Sequence, residues 1–220
     1  MLTPWHNPRM KAPNVFALAI LLLLAVAAGL LSHQYIVAHR GGPRPETDAV
    51  LLQEPTPLPA FSLRLTGDLP FDNASLTGHW SLLYFGYTHC PDACPTTLSE
   101  LDRLLTLLKK PTVSPPQVYF VSVDPKRDGL DLLRNYTTYF NPTFLGATGD
   151  LNEIRKLTGP LGVDFSYGPV NKAGDYEVVH AAFLVLVNPK GEETAIFMPP
   201  LDAARMATDY RAILKYYGAS

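Results

Sequence analysis

The sequence predicts an α/β domain in which helices cover a mixed β-sheet. Three long apolar runs are typical of buried strands, namely Trp80–Tyr87, Gln117–Val123 and Ala181–Asn188. Amphipathic segments with a helical repeat of apolar residues follow the first two runs, at Pro95–Lys110 and Asp128–Phe140. Because buried strands alternate with helices, we expect parallel strands at the centre of the sheet.

The remaining predicted elements complete this architecture. They are the strands Phe61–Leu65, Phe144–Ala147 and Glu193–Phe197, the helices Asp150–Leu161 and Asp202–Tyr217, and a hairpin or excursion over Asp164–Val179. The turn Asn188–Gly191 makes the last two strands antiparallel. This order predicts a thioredoxin-like sandwich with a central mixed sheet, one domain with a real core.

An apolar segment near the N-terminus predicts a single membrane anchor. Val15–Leu31 carries no charge and reaches the lower length limit for crossing a bilayer, about 17 residues. We predict a cytoplasmic N-terminus over residues 1–14 and a transmembrane helix over residues 15–37, because Arg9 and Lys11 favour the cytoplasm. A cleaved signal peptide is the alternative. Without a long Arg-rich transit segment, we expect a bacterial inner-membrane protein whose C-terminal domain lies in the periplasm.

Composition separates the predicted domain from the anchor, and it argues against a disordered chain and against nucleic-acid binding. Residues 38–59 are rich in proline and glycine and show no strand or helix period, so we predict a linker there and the domain at residues 60–220. The chain is 47% hydrophobic, which is too apolar for disorder. Its net charge is -2 and it has no basic stripe, so no nucleic-acid partner is expected.

The two cysteines are the main candidates for chemistry. Cys90 and Cys94 lie between a predicted buried strand and the start of a predicted helix, and they are the only cysteines in the chain. A helix N-terminus stabilises thiolates, which makes the pair better nucleophiles and better metal ligands. Two thiolates select soft or borderline metals such as Cu(I) and Zn(II). The alternative is a pair of ordinary buried thiols.

A metal site with two thiolates needs at least one more ligand, and His180 is the best candidate. It follows the polar excursion and opens an apolar strand, in a loop that a thioredoxin-like fold places opposite the cysteines. The pattern alone leaves a purely structural role for His180 equally open. Asp124 ends a buried strand, where an acid either caps a turn or supports a metal site from behind its ligands.

Three segments together carry a family resemblance. The first segment is FGYTHCPDACPTTLSEL and the second is FVSVDPKRD. The third is a histidine that enters an apolar strand ahead of NPKG. From Ala60 to the C-terminus, this order resembles the Sco/SenC family of membrane-anchored copper chaperones. The resemblance implies that Cys90, Cys94 and His180 bind copper, as Cu(I) or Cu(II), and that Asp124 supports the site.

The resemblance also implies a function and an alternative. The implied function is copper delivery to the dinuclear copper centre of cytochrome c oxidase, whose copper-bearing subunit or another copper-site client would be the partner. The chain is then a metallochaperone rather than an enzyme. The alternative is a thiol–disulfide oxidoreductase that uses Cys90 and Cys94 as a redox pair to reduce the cysteines of a copper-site client.

Two sequence details bear on this choice. Redox enzymes of this fold favour two residues between their cysteines, whereas this chain has a Cys-x3-Cys spacing. A peroxidase, the third reading, needs a cysteine in a different active-site context. The family usually places an acid directly before the histidine, but Val179 stands there and Glu177 lies two residues earlier. This departure puts copper affinity and partner choice in question more than the ligand set.

Overall fold

The computed structural model describes residues 15–39, 44–109 and 113–218, which fall into two units. The first unit, residues 1–44, contains helix α1 (Val15–His39), whose side chains are described over residues 19–32 and are exposed. In the described part of the chain, no helix combines the length and the apolar character needed to cross a membrane. The anchor predicted over residues 15–37 extends beyond the described side chains and stays a prediction, and residues 1–14 lie outside the described part.

The second unit, residues 45–220, holds ten strands and four α-helices within its described part. The strands are β1 (Val50–Pro57), β2 (Ser62–Leu65), β3 (Leu69–Asp72), β4 (Ser81–Gly86), β5 (Gln117–Ser122), β6 (Leu145–Thr148), β7 (Phe165–Tyr167), β8 (Val178–His180), β9 (Leu184–Val187) and β10 (Glu192–Phe197). The helices are α2 (Ala93–Leu108), α3 (Leu130–Phe140), α4 (Leu151–Thr158) and α5 (Ala203–Tyr216), and a 3-10 turn covers Asn73–Leu76.

Eight of the strands form one mixed sheet, which confirms the predicted α/β architecture. The strand order is β1-β10-β9-β4-β5-β6-β2-β3. Strands β4, β5 and β6 are parallel, and the other neighbours pair antiparallel. Strands β7 and β8 form a separate antiparallel hairpin, as predicted for the excursion. We call it the His180 hairpin, because His180 is the last residue of β8.

The central strand β4 explains why the sheet is covered on both faces. All six of its residues are buried, and successive side chains point to opposite faces. Leu82 and Tyr84 belong to a core shared with helices α2 and α5, whereas Leu83 and Phe85 belong to a second core that includes α4. The two cores hold β4 rigidly in place, so the loop that follows it starts from a fixed point.

The predicted linker over residues 38–59 is wrong in its second half. Strand β1 pairs with β10 at the edge of the sheet, and Ala49 is buried, with its N–H donating to Asp209 Oδ2 over 2.9 Å. Pro55 and Pro57 are tolerated because an edge strand needs hydrogen bonds on one side only and the pairing register shifts between Leu51 and Thr56. The folded unit therefore begins before residue 60.

Candidate metal centre

The two cysteines lie where the sequence predicted, in the loop between β4 and α2 and in the first turn of α2. Cys90 is half-buried in the loop and Cys94 is fully buried in the helix. Neither cysteine is in a disulfide. The side chain of Asp92, the residue before α2, makes no capping hydrogen bond, and the N–H of Cys94 instead donates to Cys90 Sγ over 3.4 Å. The sulfur of Cys90 therefore occupies the electropositive end of the helix.

Gly86, the last residue of β4, makes room for the buried thiol. A Cβ at this position would lie 2.7 Å from Cys94 Sγ and 2.9 Å from the ring of Phe120. From the same strand, the hydroxyl of Tyr84 donates to Cys94 Sγ over 3.5 Å. The roles of Gly86 and Tyr84 escaped the sequence analysis, because strand residues reveal such contacts only once their neighbours are known.

His180 faces this thiol from the His180 hairpin. Its Nε2 lies 3.5 Å from Cys94 Sγ, and its Nδ1 lies 3.0 Å from the carbonyl oxygen of Ala181. Because a carbonyl only accepts, Nδ1 carries the proton and the lone pair of Nε2 is free for a ligand. The predicted position needs one correction: His180 ends β8, and the strand that was predicted to start at Ala181 is the four-residue β9, which starts only at Leu184.

The two thiols share the negative charge unequally. A hydrogen bond from the Cys94 thiol, assisted by the Cys94 N–H, lowers the pKa of Cys90 to about 4 despite partial burial. The same contact with Cys90, together with burial, raises the pKa of Cys94 well above that of a free thiol. Cys90 is therefore the thiolate of the pair, and Cys94 carries the proton.

These three residues meet the requirements of a metal centre. One donor atom from each of Cys90, Cys94 and His180 lies within 4.8 Å of the other two. Bonds of about 2.3 Å to sulfur and about 2.0 Å to nitrogen, as in zinc sites, bring donors of one ion about as close as this. Two sulfurs and an imidazole suit copper and zinc. Binding would displace the proton of Cys94.

Asp124 is buried two residues after the end of β5 and does not belong to this group of donors. Its carboxylate accepts hydrogen bonds from Arg127 Nε over 2.5 Å and from the Tyr176 hydroxyl over 2.7 Å. It therefore bonds to the loop between β7 and β8 of the His180 hairpin rather than to the thiols. Its predicted support of the metal site stays a prediction.

Asp128 is a buried acid that the sequence analysis did not single out. It accepts from the Thr88 N–H over 2.9 Å, from the Thr88 hydroxyl over 2.6 Å and from the Ser122 hydroxyl over 2.7 Å. These bonds fix the loop two residues before Cys90 to the end of β5. Its only signal in the sequence is its place as the second acid of the VDPKRD segment.

A groove of about 680 Å³ lies beside the centre, between the His180 hairpin and the loop over residues 87–92, which we call the cysteine loop. Tyr87, His89 and Arg127 line one side, and Tyr176 and Val179 line the other. Val179 is 68% exposed, so it presents an apolar surface. The family that this chain resembles usually has an acid at this position.

Known proteins that are similar to this chain include members of a copper-binding family. The SCO1/SenC family model matches residues 52–215. A Stutzerimonas stutzeri protein that bears the provisional name of copper-binding protein is 35% identical over 82% of this chain and 87% of its own length. The crystal structure of yeast Sco1 with copper bound superposes with a TM-score of 0.69 at 30% identity and covers 74% of this chain and 91% of that chain.

Mitochondrial relatives match a smaller part of their own length. The zebrafish (Danio rerio) protein named SCO2 homolog is 42% identical over 52% of this chain, which corresponds to 41% of the relative. This chain therefore spans less than half the length of that relative. This match alone therefore does not assign the function of the whole relative to this chain.

Proposed function

The chain belongs to the SCO1/SenC family, and we propose that it binds copper and delivers it to the dinuclear copper centre of cytochrome c oxidase. One observation carries the proposal: two sulfurs and one imidazole nitrogen from separate elements lie within 4.8 Å of one another. This donor set suits Cu(I), and the imidazole also suits Cu(II). Copper is the cargo of the protein rather than a permanent part of it.

The three ligands differ in ways that fit uptake and release. Cys94 is buried and held by Tyr84, which makes it the fixed ligand of the site. Cys90 is partly exposed and ionised, so it is the sulfur that an incoming or outgoing partner reaches first. His180 is attached to a separate hairpin and can leave without moving α2. Copper would thus pass to a client by stepwise exchange of ligands.

Copper titration of the full chain under reducing conditions tests the proposal. We expect one copper per chain with two sulfurs and one nitrogen in X-ray absorption spectra. His180→Ala should remove the nitrogen and weaken binding at least about 100-fold, because even outer-shell changes cost about 10- to 100-fold in metal affinity. His79→Ala is the matched control, since His79 contacts Tyr119 instead of the thiols. Wild-type affinity in His180→Ala would exclude the third-ligand assignment.

A thiol–disulfide reductase is the second candidate, and the free Cys90–Cys94 pair with its ionised Cys90 favours it. This function needs a reversible disulfide and no histidine. His180→Ala should leave the Cys90–Cys94 disulfide able to form, as measured by mass spectrometry in redox buffers. Absence of stable copper in the wild type, together with a couple of moderate reduction potential, would favour the reductase.

We also propose that residues 15–37 anchor the protein in a bacterial inner membrane with the domain in the periplasm. The uncharged run Val15–Leu31 supports this proposal. The test is fractionation of cells combined with sequencing of the mature N-terminus. A mature chain that starts after Ser32 would show that the segment is a signal peptide instead.

A further inference from the structure

Arg127 occupies an unusual position between a buried acid and two aromatic rings. Its Nε donates to Asp124, and its guanidinium lies 3.7 Å from the ring centroid of Tyr176 and 5.7 Å from that of Tyr87. The side chain is only 15% exposed, and its Nη2 is buried without a hydrogen-bond partner. The charge is thus neutralised by Asp124 and otherwise rests on aromatic faces.

The two rings belong to the two halves of the candidate metal centre. Tyr87 begins the loop that carries Cys90, and its ring packs edge-on against His180 with 5.8 Å between centroids. Tyr176 lies in the His180 hairpin, four residues before His180, and its hydroxyl donates to the same carboxylate that holds Arg127. One arginine therefore contacts both the cysteine loop and the segment that positions the histidine.

The His180 hairpin has little structure of its own, so it is held by such contacts and by the burial of Val178 in the second core. Its two strands are three residues each and pair only with one another. A two-stranded hairpin is marginally stable in water unless it packs on something else. Besides Arg127 and Asp124, the hydroxyl of Tyr167 holds the hairpin by donating to the Val123 carbonyl over 2.6 Å. All these anchors lie on the segment that follows β5.

We propose that Arg127 is a positioning residue that clamps the His180 hairpin onto the cysteine loop and so holds the imidazole against the thiols. The clamp consists of Asp124, Arg127 and Tyr176. A desolvated cation–aromatic contact is strong enough to bias the hairpin toward the closed position and weak enough to open. Opening would withdraw His180 from bound copper. This role in copper release rests on the proposed function, whereas the clamp itself is a property of the metal-free protein.

Hydrogen exchange of the metal-free full chain in detergent tests the clamp without copper. Arg127→Lys keeps a cation beside Asp124 but loses the planar guanidinium that stacks on the Tyr176 ring. Tyr176→Leu removes the ring itself. Both variants should speed amide exchange over residues 165–180 about tenfold, while amides of α5 exchange as in the wild type. Tyr176→Phe keeps the ring and should have a smaller effect. Wild-type exchange of the hairpin in both Arg127→Lys and Tyr176→Leu would overturn the proposal.

Copper release then shows whether the clamp acts through His180. Transfer of Cu(I) from the loaded chain to a bathocuproine chelator should be about tenfold faster in Arg127→Lys and Tyr176→Leu, with a weaker nitrogen signal in X-ray absorption. Arg134→Gln, a change at an exposed arginine of α3, should match the wild type in both measurements. A loosened hairpin with unchanged release and unchanged nitrogen signal would refute the positioning role. Failure of the wild type to bind copper would refute the proposed function but leave the exchange result standing.

Discussion

Replacing Gly86 with alanine is the most direct way to disturb Cys94 without touching a ligand. The added Cβ would meet Cys94 Sγ at 2.7 Å and Phe120 Cε2 at 2.9 Å, whereas ordinary contacts begin near 3.4 Å. Either the sulfur or the strand must therefore move by about 0.7 Å. Because Cys94 and Phe120 are both buried in the same core, neither can move without displacing its neighbours. Overpacking of this kind costs roughly 1–3 kcal/mol of unfolding free energy.

The displacement also exceeds what a metal site tolerates. Functional constellations need their groups within about 0.5 Å of the working position. We therefore expect Gly86→Ala to weaken copper binding about tenfold or more, and to lower the urea midpoint. The measurements are chelator competition for Cu(I) and urea unfolding of the same full-chain preparation.

Gly129→Ala is the matched control for this change. A Cβ at Gly129 would meet nothing within 4 Å, and its backbone φ is -72°, which alanine adopts readily. Its effect on the unfolding free energy should stay within about 1 kcal/mol, with copper binding unchanged. If Gly86→Ala behaves like this control in both assays, the close approach of Cys94 to β4 is not what fixes the sulfur.

Two further predictions concern the cysteine loop. Because the pKa of Cys90 is lowered to about 4, its thiolate persists as the pH falls from 8 to 5, so iodoacetamide should label Cys90 throughout this range while Cys94 stays unreactive. Equal labelling of both thiols with a midpoint near pH 8.5 would contradict the unequal sharing of charge. Asp128→Asn turns an amide N–H toward hydroxyl and backbone donors, and it should cost roughly 1–3 kcal/mol in urea unfolding. The 91% exposed Asp131, changed to asparagine, should cost less than about 0.5 kcal/mol, and a similar loss in both variants would show that the buried bonds of Asp128 are weak.

The elements that the sequence predicted well are those with a strong local pattern. The apolar runs and the helical repeats placed β4, β5, α2, α3 and α5 within a few residues of their observed bounds. Two of the predicted helices begin with an acid that caps the observed helix, since Asp150 accepts from the Asn152 N–H and Asp202 accepts from the Arg205 N–H. Such signals lie within one turn or one strand, so they do not depend on how the chain folds back.

Strand β1 was missed because its sequence resembles a linker. Pro55 and Pro57 suppress any strand signal, and the strand forms only because β10 offers a free edge to pair with. The burial of Ala49 against Asp209, which lies in α5 at the other end of the chain, adds to this pairing. No local pattern encodes a contact between segments that distant.

The sequence by itself determined that two thiols stand at the start of a helix, because a buried strand, the cysteine spacing and the helix that follows are neighbours in the chain. Only the tertiary structure decided that His180 meets them, since its distance from Cys94 depends on a hairpin that is bonded to the segment following β5. The same holds for Gly86, Arg127 and Asp128. The role of each of these residues depends on its contacts, and those contacts come from parts of the chain that are far apart in sequence.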